Sequence, residues 1–316
     1  MMEYASVAAL ARRVKENIAR VIIGRDEEIE LVLTALLAGG HVLLEDVPGT
    51  GKTTLAKALA RSLDCAFSRV QFTPDLLPSD ITGSRVYRPQ TGDFAFIPGP
   101  AFTNILLADE LNRATPRTQS ALLECMEERQ ITEGGVTYPL AAPFLVVATQ
   151  NPIEIQGTFP LPEAQLDRFL MRITLGQPAG EEALAMMRRF LRDQPLQSIA
   201  PVATGAEIVE AQKEITACRV EEDVMRYMAA LCEAARDPSR VRLGPSPRAL
   251  LMLLRACQAW AAIQGRDYVI PDDVKALALP VLGHRIAMRG LGRDANSTVF
   301  LSELLDWVPA PTEAQA

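Results

Sequence analysis

The stretch HVLLEDVPGTGKTT (41–54) decides the fold of this chain. It begins with the apolar run HVLLE (41–45), passes through a Gly-rich loop and enters a helical pattern near Lys52. In such a loop the backbone N–H groups from Gly49 onward, the helix N-terminus and the Lys52 ammonium would converge on a phosphate chain. The Thr53 hydroxyl would reach Mg²⁺. A strand, a loop and a helix in this order predict a P-loop nucleotide site on an α/β fold.

The predicted phosphate-binding residues all lie within this loop and the first turn of its helix. They are Pro48, Gly49, Thr50, Gly51, Lys52, Thr53 and Thr54. The usual P-loop pattern begins with Gly, whereas Asp46 stands at that position here. A carboxylate facing phosphates is unfavourable, so we expect that of Asp46 to point away from the nucleotide. The alternative interpretation, a Gly-rich turn that only closes a strand, is disfavoured by the strand–loop–helix order.

Four further apolar runs alternate with helical patterns through the first part of the chain. The runs are FSRVQF (67–72), NILLAD (104–109), FLVVAT (144–149) and FLMRI (169–173), and helices are predicted at 26–38, 52–62 and 116–129. Strands that are apolar on both faces and separated by helices indicate a mostly parallel sheet that is covered on both sides.

The strand pattern ends after Ile173, and helix-capping signals take its place. Helices are predicted from Thr204 to about Ala217, from Glu221 to Ala235, from Ser246 through Trp260 and from Pro271 onward. We therefore predict a nucleotide-binding core over residues 1–176, a linker over 177–200 and a helical domain over 201–316.

Polar side chains follow two of the predicted strands where each strand ends. Asp109 and Glu110 follow the run ILLA, and Asn151 follows FLVVAT. Asp109 could hold Mg²⁺ while Glu110 polarises a water aimed at the γ-phosphate. Asn151 could hydrogen-bond the γ-phosphate or the attacking water, because strand ends converge on the ligand crevice of an open α/β sheet. Each group taken alone also fits a solvated turn, but combined with a P-loop they indicate catalysis.

The charge balance argues against nucleic acid as a partner. The chain has 39 acidic and 32 basic residues, 27 of them Arg and 5 Lys, for a net charge of −7. A dedicated DNA-binding protein normally presents a strongly positive face, which neither half of this sequence provides. We expect two local Arg clusters to lie on solvated helix faces. They are Arg236, Arg240 and Arg242, and Arg285, Arg289 and Arg293.

Neither export nor membrane insertion is indicated by the sequence. The longest apolar stretch, 31–44, is broken by glycines and is shorter than the ~20 residues of a membrane span. The N-terminal MMEYASVAALARRV lacks the charge order of a signal peptide. Five cysteines without a CxxC pair suit a reducing compartment, and two histidines provide little material for a histidine-based metal site. We expect a cytoplasmic protein without a membrane span.

Four segments, in order along the chain, carry a specific resemblance to a known family. They are LLEDVPGTGKTTLAKALA, ILLADELNRATPRTQSALLECMEERQIT, VVATQNPIEIQGTFPLPEAQLDRFLMRI and GPSPRALLML. Together they resemble the MoxR family of AAA+ ATPases from about residue 20 to 290. The resemblance implies an αβα P-loop core with a mostly parallel sheet, a following all-helical lid domain, and a homo-oligomeric ring, usually a hexamer, with ATP between subunits.

The resemblance also implies roles for individual residues. Lys52 and Thr53 match the Walker A motif, Asp109 and Glu110 match Walker B, and Asn151 matches sensor 1. Arg168 in LPEAQLDRF matches the arginine finger, which reaches the γ-phosphate of a neighbouring subunit, and Arg248 in SPRAL matches sensor 2 of the lid. A planar, permanently charged guanidinium suits a phosphate. By sequence alone either arginine would be assigned to a surface ion pair.

Two further groups fit the family pattern with their roles left open. Arg113 and Arg117 follow Walker B and are candidates for a subunit interface. The segment IIGR (22–25), including Ile23 and Gly24, corresponds to the stretch that cradles adenine, although apolar packing explains the isoleucines equally well.

Two insertions read as hairpins near 83–99 and 130–140, the first around the turn PQTGD and the second around Gly134-Gly135. The resemblance implies that they line a pore or contact clients. The aromatic residues of the first hairpin, Tyr87, Phe94 and Phe96, could instead staple it to the core, and both interpretations stay open at this stage.

The leading functional hypothesis is an ATPase that uses ATP and Mg²⁺ in a ring to mature or remodel a partner protein. The resemblance suggests a partner with a von Willebrand factor A domain. Three alternatives remain: the ATPase subunit of a metal chelatase, a DNA-remodelling motor, and a nucleotide-dependent scaffold that does not hydrolyse ATP.

Overall fold

The central feature of the fold is a five-stranded parallel sheet. The computed structural model describes residues 4–152, 157–191, 194–290 and 293–311. Over these residues the strands are β1 (Val42–Glu45), β2 (Phe67–Gln71), β3 (Gly83–Arg88), β4 (Asp93–Pro98), β5 (Ile105–Asp109), β6 (Gln130–Glu133), β7 (Val136–Pro139), β8 (Leu145–Gln150), β9 (Met171–Ile173), β10 (Val241–Leu243) and β11 (Ala287–Met288).

The sheet has the order β2-β5-β8-β1-β9, and its neighbouring strands run parallel. Its apolar side chains alternate between two separate cores. Val42, Ile105 and Leu145 point into one, whereas Leu43 and Leu106 point into the other. Burial on both faces requires helices on both sides of the sheet, which confirms the predicted αβα core.

The helices account for most of the remaining described residues. They are α1 (Tyr4–Ala19), α2 (Asp26–Leu37), α3 (Lys52–Ser62), α4 (Pro78–Thr82), α5 (Pro116–Glu128), α6 (Glu163–Leu166), α7 (Glu181–Phe190), α8 (Pro195–Ser198), α9 (Gly205–Glu214), α10 (Glu222–Ala234), α11 (Pro247–Ile263), α12 (Pro271–Leu282) and α13 (Arg293–Trp307). None of the described helices is both long and apolar enough to cross a membrane.

The helical second half is confirmed, with additions that the sequence did not predict. The capping box of Thr204 and Glu207 starts α9, and the Ser246 hydroxyl caps α11 by accepting the Ala249 N–H at 3.2 Å. The predicted linker 177–200 contains the helices α7 and α8. A small antiparallel pair, β10 with β11, lies within the helical half. Strands of two or three residues are too short for an alternating pattern to reveal them.

The prediction that the arginine clusters lie on solvated helix faces is wrong for Arg285. That side chain is buried, at 5% exposure, and its Nε donates to Asp167 Oδ1 at 2.7 Å. Arg242 lies on strand β10 and pairs with Glu163, and Arg240 pairs with Glu303. These arginines bind carboxylates from distant parts of the chain, and such pairs have no signature in local spacing. The side chain of Arg293 lies outside the described residues, as does the tail 312–316.

Both predicted hairpins form, and their aromatic residues divide into two groups. Phe96 of β4 stacks on Tyr138 of β7 at 4.3 Å between ring centroids, so it joins one hairpin to the other. Tyr87 and Phe94 contact each other at 5.3 Å and are 51% and 58% exposed. Phe96 also contacts Phe102, which packs against the smaller core, so the stapling interpretation holds for Phe96. The other two rings form an exposed aromatic pair.

Candidate functional site

The loop between β1 and α3 has the backbone geometry that a phosphate site needs. Gly49 and Gly51 adopt φ values of 88° and 91°, in the left-handed region where a side chain is strained. Gly51 is the N-terminal cap of α3, and helical geometry begins at Lys52. Successive N–H groups and the positive end of the helix therefore face the same space, which attracts an anion.

The Lys52 ammonium lies across this loop. Its Nζ donates to the carbonyl oxygens of Asp46 at 2.8 Å and Val47 at 3.0 Å. Burial lowers the pKa of Lys52, and the nearby carboxylates of Asp46, Asp109 and Glu110 oppose that shift. The site thus places a partly buried cation where phosphate oxygens would bind.

The Asp46 carboxylate is turned away from the loop interior, as the sequence led us to expect. Its Oδ1 accepts the Val47 N–H at 2.9 Å, and its Oδ2 accepts the Gly176 N–H at 2.7 Å. The residue is 6% exposed. An acid at the first P-loop position is therefore compatible with phosphate binding, because both of its oxygens are satisfied by backbone donors.

Asp109 and Glu110 stand at the end of β5, beside the loop. Asp109 Oδ1 accepts the Thr149 hydroxyl at 2.7 Å, and its Oδ2 pairs with Nη2 of Arg69 at 2.7 Å. Glu110 has a φ of 56°, an uncommon value for a residue other than glycine, and its N–H donates to Thr149 Oγ1 at 2.8 Å. Backbone held in a sparsely populated region is a frequent property of functional sites.

The Glu110 side chain is held by two donors. Its Oε2 accepts Gln71 Nε2 at 2.8 Å and Arg113 Nη1 at 3.0 Å. Arg113, which the sequence left without a partner, therefore contacts the proposed general base. Arg117 lies exposed in the first turn of α5.

A cavity of about 330 Å³ joins the phosphate loop to the ends of β5 and β8. Its lining residues are Pro48, Gly49, Gly51, Lys52, Thr53, Thr54, Asp109, Glu110, Thr149, Gln150 and Asn151. We call Lys52, Thr53, Asp109, Glu110 and Asn151 the phosphate-loop region. The structure therefore brings together residues from three separate sequence motifs.

The cavity offers donors that suit Mg²⁺. Thr53 contributes a hydroxyl and Asp109 a carboxylate, both hard oxygen ligands. Among the described residues, no three His, Cys, Asp or Glu side chains converge into a metal-binding group. Mg²⁺ at this site would rely on these two residues, on phosphate oxygens and on water, as it usually does in nucleotide sites.

Arg168 and Arg248 lie elsewhere on the molecule. Neither is among the described residues that line the phosphate-loop cavity. Both pair with Glu127 near the end of α5: Arg168 Nε lies 3.1 Å from Oε2, and Arg248 donates through Nη2 to Oε1. The adjacent Asp167 binds Arg285. We call Glu127, Asp167, Arg168, Arg248 and Arg285 the arginine region.

The segment proposed to cradle adenine lies partly beside the loop. Ile22 packs against the larger core, and its Cδ1 would lie 4.0 Å from a Cβ built on Gly51. Ile23 and Gly24 are not among the residues that line the phosphate-loop cavity, so their contact with a base stays a prediction.

The sequence missed several residues that hold the site together. Thr149, Gln71 and Arg69 all lie on strands of the central sheet, beside the carboxylates of β5. The convergence of strand ends, which identified Asn151, could have identified Thr149 and Gln71 as well. Glu127 had no such signal, because its partners are distant in sequence.

The sequence and the fold match known proteins over nearly the whole chain. Residues 41–171 match the family described as ATPase family associated with various cellular activities (AAA), and residues 233–300 match the AAA lid domain. The chain is 44% identical to the uncharacterized protein YeaC of Bacillus subtilis, over 95% of both proteins. It is 41% identical to the chaperone MoxR1 of Mycobacterium tuberculosis, over 97% of this chain and 84% of that protein.

A solved structure, that of a putative ATPase from Cytophaga hutchinsonii, superposes with a TM-score of 0.89 at 38% identity. The superposition covers 98% of this chain and 97% of the other. The family match and this superposition thus both indicate an ATPase fold.

Proposed function

This chain belongs to the MoxR family of AAA+ ATPases, and from that premise we propose that it hydrolyses ATP within a ring of identical subunits, most simply a hexamer. One observation carries the proposal. The phosphate-loop region forms one cavity, whereas Arg168 and Arg248 lie outside it and share the carboxylate of Glu127. A nucleotide bound by one subunit would therefore meet these arginines only on a neighbour.

Within one subunit the proposed roles follow from chemistry. The backbone of the loop and Lys52 bind the phosphates, with Pro48, Thr50 and Thr54 shaping the loop. Thr53 and Asp109 would hold Mg²⁺, which would neutralise part of the phosphate charge. Glu110 accepts a proton from the attacking water, and Asn151 orients that water or the γ-phosphate. Gln71 and Arg113 both donate to Oε2 of Glu110, so the proton can pass to Oε1 while these two contacts hold the carboxylate in place.

The two arginines complete the site in trans. Arg168 lies in the segment between α6 and β9, and Arg248 begins helix α11 of the lid. A guanidinium placed on the γ-phosphate stabilises the charge of the transition state. We assign this role to Arg168 and a supporting role to Arg248.

Mixed rings test the shared site. Lys52→Ala should lose ATP affinity, on the order of tenfold or more, because a charge-assisted contact to phosphate is lost. Arg168→Ala should bind ATP and fail to hydrolyse it. Mixing the two inactive proteins should restore turnover, because the Lys52→Ala subunit supplies an intact Arg168 to the ATP of its Arg168→Ala neighbour.

The control is a mixture of Lys52→Ala with Glu110→Gln. Both changes damage the same phosphate-loop region, so no pairing of these subunits contains a complete site. If Arg168→Ala is not restored, or if Glu110→Gln is, the division of the site between subunits is wrong.

We further propose that turnover serves to mature or remodel a protein client, one with a von Willebrand factor A domain. The 41% identity to a protein named a chaperone supports the remodelling role, whereas the von Willebrand factor A domain of the client is proposed from the family resemblance alone. The test is capture of such a protein by a Glu110→Gln ring saturated with ATP and its absence from a Lys52→Ala ring.

Strong stimulation of the ATPase by DNA would favour a motor, and dependence on a metal–porphyrin system would favour a chelatase. Absence of turnover in the parent ring would favour a scaffold.

A cytoplasmic location is part of this proposal. All five cysteines are free, and burial raises the pKa of the thiols, to about 11 for Cys65 and about 12 for Cys125. Fractionation of cells that express the tagged protein would test the location.

A further inference from the structure

The carboxylate of Glu127 contacts both arginines that are proposed to bind phosphate, Arg168 and Arg248. Glu127 lies near the end of α5, and its side chain is 33% exposed. Its Oε2 is 3.1 Å from Nε of Arg168, and its Oε1 accepts a hydrogen bond from Nη2 of Arg248. Three segments that are far apart in the sequence therefore meet at one side chain.

A second carboxylate fixes the backbone on either side of this meeting point. Asp167, the residue before Arg168, accepts Nε of Arg285 at 2.7 Å through Oδ1 and the Ser246 hydroxyl at 2.8 Å through Oδ2. Ser246 caps the helix that carries Arg248. The segment of the core that holds Arg168 is thus tied directly to the start of that lid helix.

Arg285 anchors this arrangement from beneath. It is buried, and it donates to the carbonyl oxygens of Asp167 and Leu170 as well as to the Asp167 carboxylate. Burial lowers the pKa of Arg285, and the Asp167 carboxylate opposes that shift. Because this buried arginine has so many acceptors, the core segment that carries Arg168 and the start of the lid helix that carries Arg248 have little freedom to separate.

Electrostatics explain why Glu127 is needed in addition to that anchor. The guanidinium groups of Arg168 and Arg248 carry the same charge, so they repel each other when both contact one anion. A carboxylate with one oxygen on each group offsets that repulsion and fixes their relative orientation. Two cations held in this way match the several oxygens of a terminal phosphate.

We propose that Glu127 is a positioning residue, which holds Arg168 and Arg248 as a preformed pair for the terminal phosphate of ATP on the neighbouring subunit. Asp167 and Arg285 fix the two backbone segments that carry the pair. The inference rests on the proposed function, because it requires ATP to be shared between subunits.

Glu127→Gln is the test, and Glu124→Gln is its matched control. Glu124 lies three residues earlier on α5 and lines the same hollow as Glu127 and Arg168, and its replacement removes the same charge. The Glu127 variant should lower kcat between about tenfold and about a hundredfold, because the arginines lose their relative orientation. Binding of a fluorescent ATP analogue should stay within about twofold of the parent, because the phosphate-loop region is intact. Glu124→Gln should keep the parent kcat.

Mixed rings separate a positioning role from a defect in folding. Glu127→Gln subunits mixed with Lys52→Ala subunits should regain turnover, as Arg168→Ala subunits should, because the neighbour supplies an intact pair. Glu127→Asp, which keeps the charge on a shorter side chain, should fall between Glu127→Gln and the parent.

Two results would overturn the inference: an unchanged or raised kcat in Glu127→Gln, or restoration by Lys52→Ala of the Arg168→Ala ring but not of the Glu127→Gln ring. If the Arg168→Ala ring itself is not restored, the proposed shared site fails instead, so the two failures are distinguishable.

Discussion

The phosphate-loop region and the arginine region are assembled differently. In the first, a loop with two left-handed glycines and the ends of neighbouring strands place the residues, and contacts such as the ion pair of Asp109 with Arg69 then orient the carboxylates. The second depends on ion pairs between segments that lie about 40 to 120 residues apart, such as those of Glu127 with Arg168 and Arg248. Backbone geometry therefore places the residues of one region, whereas side-chain charge brings together those of the other.

This difference predicts how each region fails. Damage to the phosphate-loop region should be confined to the subunit that carries it. Damage to the arginine region should appear in the ATP site of a neighbour and should be corrected by an intact neighbour.

The largest effect is expected from Glu110→Gln. Loss of the general base should lower kcat between about a hundredfold and about ten-thousandfold, while the shape and hydrogen-bonding capacity of the side chain are largely kept. ATP binding should be retained and the ring stabilised in its ATP-bound form. Steady-state turnover, together with sedimentation of the ring in ATP, measures both. Hydrolysis equal to that of the parent would refute the role given to Glu110.

A smaller effect is expected on stability, from two buried histidines. His41 directly precedes β1, accepts the Val146 N–H at 3.0 Å through Nδ1 and contacts the Met126 carbonyl through Nε2. Burial lowers its pKa from 6.5 to about 4. His284, in contact with the Phe169 carbonyl beside Arg285, also has its pKa lowered by burial.

Because burial keeps His41 neutral in the folded state, the unfolded state binds more protons than the folded state once the pH falls below the ordinary histidine pKa of 6.5. Stability should therefore fall as the pH drops from about 6.5 toward about 4, by on the order of 3 kcal/mol for His41. Unfolding in urea across this range measures the loss. His41→Leu should be less stable at neutral pH, because the Val146 N–H loses its acceptor, but its stability should depend less on pH. An identical pH dependence in parent and variant would contradict the assignment.

The smallest effect is expected outside both regions, at the exposed aromatic pair. Phe94→Ala should leave kcat within about twofold of the parent and cost roughly 1 kcal/mol or less, because its exposed ring contacts Tyr87 and the Arg85 guanidinium at the surface. Phe96→Ala on the same strand should cost more, because Phe96 stacks on Tyr138 of the other hairpin. Thermal unfolding of the two variants compares them directly. An equal loss would mean that the stack does not join the hairpins.

The sequence predicted those parts of the molecule that depend on residues close together along the chain. The strands and helices of the core follow from runs such as ILLA and from the loop 47–54, and the observed bounds lie within about two residues of those expected. Helix α1 was not predicted, because its segment was considered only as a possible signal peptide. The strands β10 and β11 were missed because they are so short.

The arginine region shows why the remainder could not be predicted. The resemblance to a family identified Arg168 and Arg248, but no spacing connects them to Glu127 or connects Asp167 to Arg285. Buried ion pairs depend on which segments the fold brings together, so Arg285 was expected in solvent and lies in the interior.

The Asp46 carboxylate connects the phosphate loop to the segment that follows β9. One of its oxygens holds the phosphate loop at Val47 and the other holds the chain at Gly176, which leads out of the sheet toward the lid. Both contacts are charge-assisted and shielded from water. A displacement of the loop must therefore either carry Gly176 with it or break one of these bonds. The acid in place of the usual glycine thus gives the nucleotide end of the molecule a direct mechanical connection to the exit toward the lid.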